Sequence, residues 1–285
     1  VAIEDYSNLV SGQASHFALT QFNVRTFWHT AEPTDEWLRY RLGLFEAFTV
    51  PSFAGQTSRD FTWLVFFDAL TPPWLRERVA ELAAGAFEPV YVEGELDAAY
   101  LSRELGRRCT TPYLLTTGVD SDDAVAVDFI ETIQRSFAPA EREVVNLVNG
   151  AQYCGGRFYL RPYTRNPFCT MVEHVETAAP ITVYADFHYK IDLLAPVRNV
   201  RTAHPMWLQV VHGRNILNEI VGLRVRPGAV TPHFAAQLPE RGSLVGVWAE
   251  QLRGALRIGA RLVSRPHRLL DLAHAALART SPRTN

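Results

Sequence analysis

Short apolar runs alternate with stretches of helical periodicity through residue 135. His16–Val24 (HFALTQFNV) reads as a buried strand, and Phe61–Phe67 (FTWLVFF) as a second, ending at Asp68. Between them Glu36–Phe48 sets Trp37, Tyr40, Leu44, Phe45 and Phe48 at helical spacing, giving one apolar face. A second helix follows, with Pro72 and Pro73 near its start, Arg76 and Arg78 in its body and Gly85 as its stop. Phe87–Val92 is a third strand, Asp97–Arg108 a third helix and Pro112–Thr117 a fourth strand. Asp122–Phe137 then reads as a fourth helix, with Val125, Phe129, Ile130, Ile133 and Phe137 on one side. Strands alternating with helices predict βαβ units, an α/β class and a mostly parallel sheet covered by helices on both faces. Ligands of such sheets sit at the carboxyl ends of the strands.

The rhythm changes after residue 140. Val144–Val148 and Arg157–Arg161, with turn signals at Asn149–Gly150 and Gly155–Gly156, predict hairpin structure. Pro-rich irregular sequence follows, holding NPF at 166–168 and WLQVVHGRN at 207–215. From Arg241 onward eight Arg stand against Glu250 and Asp271. There Leu252, Leu256 and Val263 alternate with Arg253, Arg257 and Arg261, a basic amphipathic helical tail broken at Pro266. Such a tail, 241–285, either packs on the α/β core or lies on an anionic bilayer through residues 251–285.

Composition narrows the function classes. The chain has 285 residues, 47% hydrophobic and 20% charged, the balance of a globular protein. A net charge of −2 supplies no basic field for a nucleic-acid backbone, so nucleic acid is not an expected partner. Of 28 basic residues only Lys190 is lysine. Three cysteines (Cys109, Cys154, Cys169) with no C-x-x-C pair argue against a disulfide framework and a thiolate zinc site. No run of about 18 apolar residues predicts a spanning helix. The first residues lack the basic start and apolar core of a signal peptide. A cytoplasmic protein, in peripheral contact with the inner face of the membrane if the tail binds lipid, is the expectation.

The main chemical signal is Asp120-Ser121-Asp122-Asp123, directly after a predicted strand and at the start of a predicted helix. Aspartate is a good helix N-cap, and acids suit the positive end of a helix. One cap and one first-turn acid would meet that need; a third carboxylate exceeds it. Carboxylates this close repel one another, and hard oxygen ligands select Mg²⁺ or Mn²⁺, which typically bind one or two carboxylates plus substrate phosphates. An EF-hand is excluded, because the loop lacks its Gly and closing Glu.

A D-x-D-D run after a strand of a βαβ half resembles the metal motif of nucleotide-sugar glycosyltransferases of the GT-A fold. The blocks RLGLFEAFTVPSFAGQTSRDFTWLVFFD (41–68), TTGVDSDDAVAVDFIETIQ (116–134), NPF…E (166–173) and WLQVVHGRN (207–215) stand in order. Together they resemble the rhamnosyltransferase family. One departure is Gly118, two residues before Asp120, where the family often carries Arg. The resemblance implies a GT-A-like (Rossmann-like) domain over 1–240, with a nucleotide-sugar-binding half (1–138) and an acceptor-binding half (139–240). It implies transfer of a sugar, rhamnose among the options, from a nucleotide diphosphate donor to a hydroxyl of a saccharide, glycolipid or cell-envelope glycan. Asp120, Asp122 and Asp123 would be metal ligands, with Asp120 and Asp122 also meeting the donor. His212 is the candidate for a further ligand from the second half; it also reads as a buried histidine or a turn residue, and His188 is a weaker rival. Glu173 lies where such transferases place a catalytic base, and an ordinary surface glutamate is its other reading. Phe22, Asn23, Arg25 and Arg41 are the nucleotide-binding candidates.

Two other classes share parts of this pattern. A nucleotidyltransferase would use the same metal and nucleotide, but FNVRTFWH offers no Gly-rich phosphate loop after the first strand. A non-catalytic metal- or carbohydrate-binding module would hold an ion without turnover. A serine hydrolase is excluded for want of a G-x-S-x-G elbow.

Overall fold

The computed structural model describes residues 12–26, 32–215 and 219–240. The tail 241–285, and with it the membrane expectation, lies outside the described residues. A seven-stranded sheet forms the centre, in the order β10-β6-β9-β4-β1-β2-β3. β1 (Ala14–Gln21), β2 (Thr62–Asp68), β3 (Glu88–Val92) and β4 (Tyr113–Gly118) are mutually parallel, as the alternation of strands and helices predicts. β9 (Thr170–His174) runs antiparallel between β4 and β6 (Arg142–Leu147), and β10 (Val197–Val200) pairs parallel with β6.

Side chains alternate across the sheet with period two, so each strand feeds two cores. Trp63, Val65 and Phe67 of β2 pack on one face, with Leu38 and Leu42 of α1 (Asp35–Leu44) and Leu75 and Val79 of α3 (Pro73–Ala83). Leu64 and Phe66 enter the opposite core, with Leu101 and Leu105 of α4 (Ala98–Arg108). The N-caps follow the sequence: Thr34 accepts from Trp37 N–H and Asp97 from Tyr100 N–H. After Leu44 the helix widens into one π turn, Phe45–Thr49, before α2 (Val50–Ala54).

A second sheet of five strands, β12-β8-β7-β11-β5, stands beside the first. β7 (Ala151–Cys154) and β8 (Arg157–Leu160) form the hairpin expected around Gly155 and Gly156, both at positive φ. β11 (Trp207–Val210) pairs with β7 and with β5 (Ala124–Val125), and β12 (Leu223–Val225) closes the far edge. Gly150 is required by close approach, since a Cβ there would lie 2.0 Å from the Trp207 ring. β5 from the first half and β9, β6 and β10 from the second mean that both halves share both sheets.

One predicted helix is largely replaced. The stretch 122–128 is turn around the short strand Ala124–Val125, and α5 covers only Phe129–Arg135. Its backbone is claimed by distant partners: β5 pairs with Trp207 and Leu208, Ala126 N–H donates to Met206, and Val127 donates to His233 and accepts from Thr57. Helix capping is therefore not what the aspartates do.

Candidate active site

β1 and β4 end at the same edge of the sheet, and Val119 N–H still bonds Leu19 O as the chain leaves β4. The acidic segment follows at once, at the carboxyl end of the parallel strands, where such sheets bind ligands. Carboxylate oxygens of Asp120, Asp122 and Asp123 lie within 4.8 Å of one another. Asp122 and Asp123 are buried, whereas Asp120 is exposed.

Three side chains from two chain segments converge on Asp122 Oδ2. Arg41 Nη1 donates to it at 2.7 Å, His212 Nε2 lies at 2.9 Å and Asn215 Nδ2 at 3.5 Å. Arg41 Nε also donates to Ser121 Oγ at 2.8 Å, so one guanidinium grips two successive residues of the turn. Asp123 faces the second sheet: its Oδ1 accepts from Val210 N–H at 2.8 Å, and its carbonyl accepts from Thr49 Oγ1 at 2.8 Å. The π turn before α2 thus delivers Thr49 to the acidic loop. His212 follows β11 directly, and Gly213 at φ +84° turns the chain so that Asn215 Oδ1 accepts from His212 N–H at 2.9 Å. Across the ring, Tyr40 Oη lies 2.9 Å from His212 Nδ1.

The electrostatics are those of an under-neutralised cluster. Burial first, then the charges of Asp122 and Asp120, push the Asp123 carboxyl well above the usual carboxylate range, against the Val210 N–H that favours its charged form. Loss of hydration and the Asp122 charge also raise Asp120, with Arg41 opposing. One guanidinium does not balance three close carboxylates, and further positive charge would stabilise them all.

The sequence candidates fare differently. Asp120, Asp122, Asp123, Arg41 and His212 come together. Phe22 does not present its ring to a ligand; it packs in the core against Phe45 and Phe67 at 5.5 and 5.1 Å. Asn23 is buried and organises the turn after β2, donating to Thr71 Oγ1 and accepting from Asp68 N–H. Arg25, more exposed, pairs with Asp68 at 2.8 Å on the same strand edge. His188 bonds the Arg165 carbonyl at 2.7 Å and packs edge-on to Tyr163.

Glu173 is corrected outright as a base candidate. It is 2% exposed, and its carboxylate accepts from Ile181 N–H, Thr182 N–H and Arg142 Nε at 2.9, 2.9 and 3.2 Å. Because β9 is antiparallel to β4, Glu173 stands opposite Leu114, six residues before Asp120. At about 3.3 Å per residue it lies roughly 13 Å down β4 from the strand end at Gly118 that leads into the cluster. What it does is fasten the 181–184 segment to the sheet. That segment ends in Tyr184, whose Oη donates to Leu19 O at 2.8 Å and whose ring would meet a Cβ at Gly118 at 3.2 Å. The position where the family often carries Arg is therefore a glycine with a tyrosine ring pressed against it.

Tyr40, Thr49, Tyr184 and Asn215 belong to this neighbourhood and were not among the sequence candidates. Tyr40 was legible only as part of an apolar face. The buried stripe of α1 is instead Leu38 and Leu42, which leaves Tyr40 and Arg41 on the flank that meets the acidic loop.

No curated protein sequence matches this chain. Among solved structures, the UDP complex of S. aureus TarS 1–349 is similar at 13% identity over 70% of this chain and 60% of that one, with a TM-score of 0.42. This chain thus spans 60% of that protein's crystallised length. HddC from Yersinia pseudotuberculosis is 8% identical over 66% of this chain and 90% of that one, with a TM-score of 0.34. The inositol-1-phosphate CTP transferase from T. maritima is 12% identical over 70% and 90%, with a TM-score of 0.35. A family model matches residues 29–223, more than half of the chain, and on that match the protein belongs to the family described as "Putative rhamnosyl transferase", a family of glycosyltransferases.

Proposed function

We propose that this protein transfers a sugar, rhamnose being the first to test, from a nucleotide diphosphate donor to a hydroxyl of a saccharide or glycolipid. The reading takes the chain as a GT-A-type enzyme that uses Mn²⁺ or Mg²⁺. The observation that carries it is the acidic turn at the carboxyl edge of the parallel strands, with Arg41 and His212 meeting on Asp122 Oδ2. The donor set fits a hard divalent cation: carboxylates crowded within 4.8 Å, one of them exposed, and an imidazole alongside. Asp120, Asp122 and His212 would hold it, with Asp123 behind them. Its chemistry, once bound, is to offset the charge that grows on the departing diphosphate as the anomeric C–O bond breaks.

The protein's own groups do the rest. Arg41 is the cation of the site: a guanidinium shared between Ser121 and Asp122 also matches the fork geometry of a phosphate. Arg25 and Asp68 sit at the neighbouring strand ends and are the polar groups available to the nucleoside. Asp123 fixes the loop to β11 and keeps the cluster in register with the second half. Rhamnose, the acceptor and contact with a membrane through 251–285 are further parts of this proposal. The test is a thermal-shift series with UDP, dTDP and GDP, each with and without Mn²⁺. Stabilisation by at least one diphosphate that grows with Mn²⁺ is the expected result. No nucleotide-dependent shift under any condition would overturn the donor class.

A further inference from the structure

Tyr40 makes two contacts with one residue. Its Oη lies 2.9 Å from His212 Nδ1 and 3.2 Å from the His212 carbonyl oxygen. The phenol is held there from both sides: α1 carries it, and the Arg214 guanidinium, itself paired with Glu36 at 3.0 Å, stacks 4.5 Å from its ring. A phenol has a single proton to donate, so it cannot donate to both groups at once. If that proton goes to Nδ1, the neutral ring carries its own on Nε2 and donates to Asp122 Oδ2. If it goes to the carbonyl, the phenol oxygen accepts from Nδ1–H, and Nε2 turns a lone pair toward Asp122 at 2.9 Å. Two lone pairs at that distance repel unless positive charge joins them.

We propose that Tyr40 is a positioning residue that lets His212 exchange tautomers in place, Nε2–H when the cluster holds no cation and Nδ1–H when it does. The inference rests on the metal-dependent reading of the site. The exchange needs no movement of the imidazole. The hydroxyl proton of Tyr40 rotates from Nδ1 to the carbonyl, the Nε2 proton passes to solvent water as the cation arrives, and Nδ1 takes one proton from solvent water, so the ring loses one proton and gains one. Outer partners of this kind fix ring orientation and typically change metal affinity 10- to 100-fold.

Tyr40→Phe keeps the ring under Arg214 and removes only the hydroxyl. Mn²⁺ affinity, measured calorimetrically in the presence of UDP, should fall about 10-fold or more, while the metal-free melting temperature is retained. Independently, ¹⁵N imidazole spectra of the intact wild-type protein at pH 8 should show His212 as Nε2–H without metal and as Nδ1–H with saturating Mg²⁺. This second measurement decides the matter if the variant folds poorly. Equal Mn²⁺ affinity in a well-folded variant overturns the role of Tyr40 alone, and an unchanged Nε2–H tautomer in the Mg²⁺-saturated wild type overturns both that role and His212 as a ligand, with metal binding by the carboxylates left standing. Absence of any Mn²⁺ or Mg²⁺ binding by the wild-type protein overturns the metal-dependent reading and this inference with it.

Discussion

Replacing Asp122 by Asn removes one negative charge from the centre of the site and keeps its shape. Two opposing effects follow. Arg41 loses its ionic partner at 2.7 Å, a part-buried interaction worth about 6 kcal/mol at an effective dielectric constant of 20. Asp120 and Asp123 lose a like charge whose oxygens lie no more than 4.8 Å away, which at the same dielectric relieves roughly 3 kcal/mol for each that is ionised. These terms largely cancel. What remains is weaker hydrogen bonding, because a neutral amide oxygen at the Oδ2 position accepts less strongly from Arg41 and His212 than a carboxylate does, and that costs about 1–3 kcal/mol. The apo protein should therefore melt lower by about 2–4 °C for each kcal/mol lost and still fold cooperatively. Asp122→Ala would remove the crowding as well, but leaves the buried face of Arg41 and His212 with no acceptor, so the asparagine is the cleaner probe. Urea denaturation gives the stability, and scanning fluorimetry with UDP, dTDP and GDP gives the ligand response. At ligand near 100 times its Kd the wild type gains about 2.7 kcal/mol, and in the variant the Mn²⁺-dependent part of that gain should vanish. A full metal-dependent gain in Asp122→Asn refutes the assignment of this carboxylate. A stability loss well above 5 kcal/mol refutes the argument that repulsion within the triad offsets the pairing.

Two further outcomes separate structure from chemistry elsewhere in the molecule. Glu173→Gln should destabilise the fold by about 1–3 kcal/mol in urea denaturation, because its amide cannot accept from Arg142 and both backbone N–H groups. Its rate of transfer should stay within a few fold of wild type; normal stability with a loss of about 100-fold would restore a general-base role. His16 is buried, with Nε2 2.8 Å from Thr117 Oγ1, and burial pushes its pKa down to about 3 from an ordinary 6.5. A depressed folded-state value means stability that is complete above pH 6.5 and is lost as pH falls toward 3. Comparing denaturation at pH 7.5 and pH 5, the wild type should lose about 2 kcal/mol more than His16→Gln over that interval. Parallel losses in the two proteins would show that His16 protonates freely.

The parallel strands were legible because a buried β-strand writes its environment into its own residues. FTWLVFF is apolar on both faces and can sit only at the centre of a covered sheet. Asp120, Asp122 and Asp123 were legible for a related reason, since three adjacent carboxylates announce a charge that something else must answer. The predicted helix at 122–137 failed where local pattern met distant partners. DDAVAVDFIETIQ has helical periodicity, yet Trp207, Leu208, Met206, His233 and Thr57 take the backbone groups of residues 124–127. Glu173 misled in the other direction. Its neighbours in sequence gave no sign that the backbone of residues 181 and 182 would fold over it. Tyr40 was counted as apolar because periodicity weighs the ring and is blind to the hydroxyl, the part that reaches His212.

The division of the chain into a donor half and an acceptor half describes the sequence better than the site. Asp122 comes from the first half, and its oxygen is shared between Arg41 of that half and His212 of the other. Asp123 is tied at once to Thr49 and to Val210, so the acidic loop is clamped between α1–α2 on one side and β11 on the other. Among the described residues β5, which follows the loop immediately, has its ladder partner only in β11. A cluster of mutually repelling carboxylates costs free energy to hold, and here packing in both sheets supplies it. On the proposed role of the cluster, donor binding and the docking of β11 would be coupled through Asp122 and Asp123. A change in the second sheet that shifts Val210 or His212 should weaken nucleotide affinity although it touches no nucleotide. The same clamps leave the acidic turn buried at its base, at Asp122 and Asp123, and exposed at Asp120.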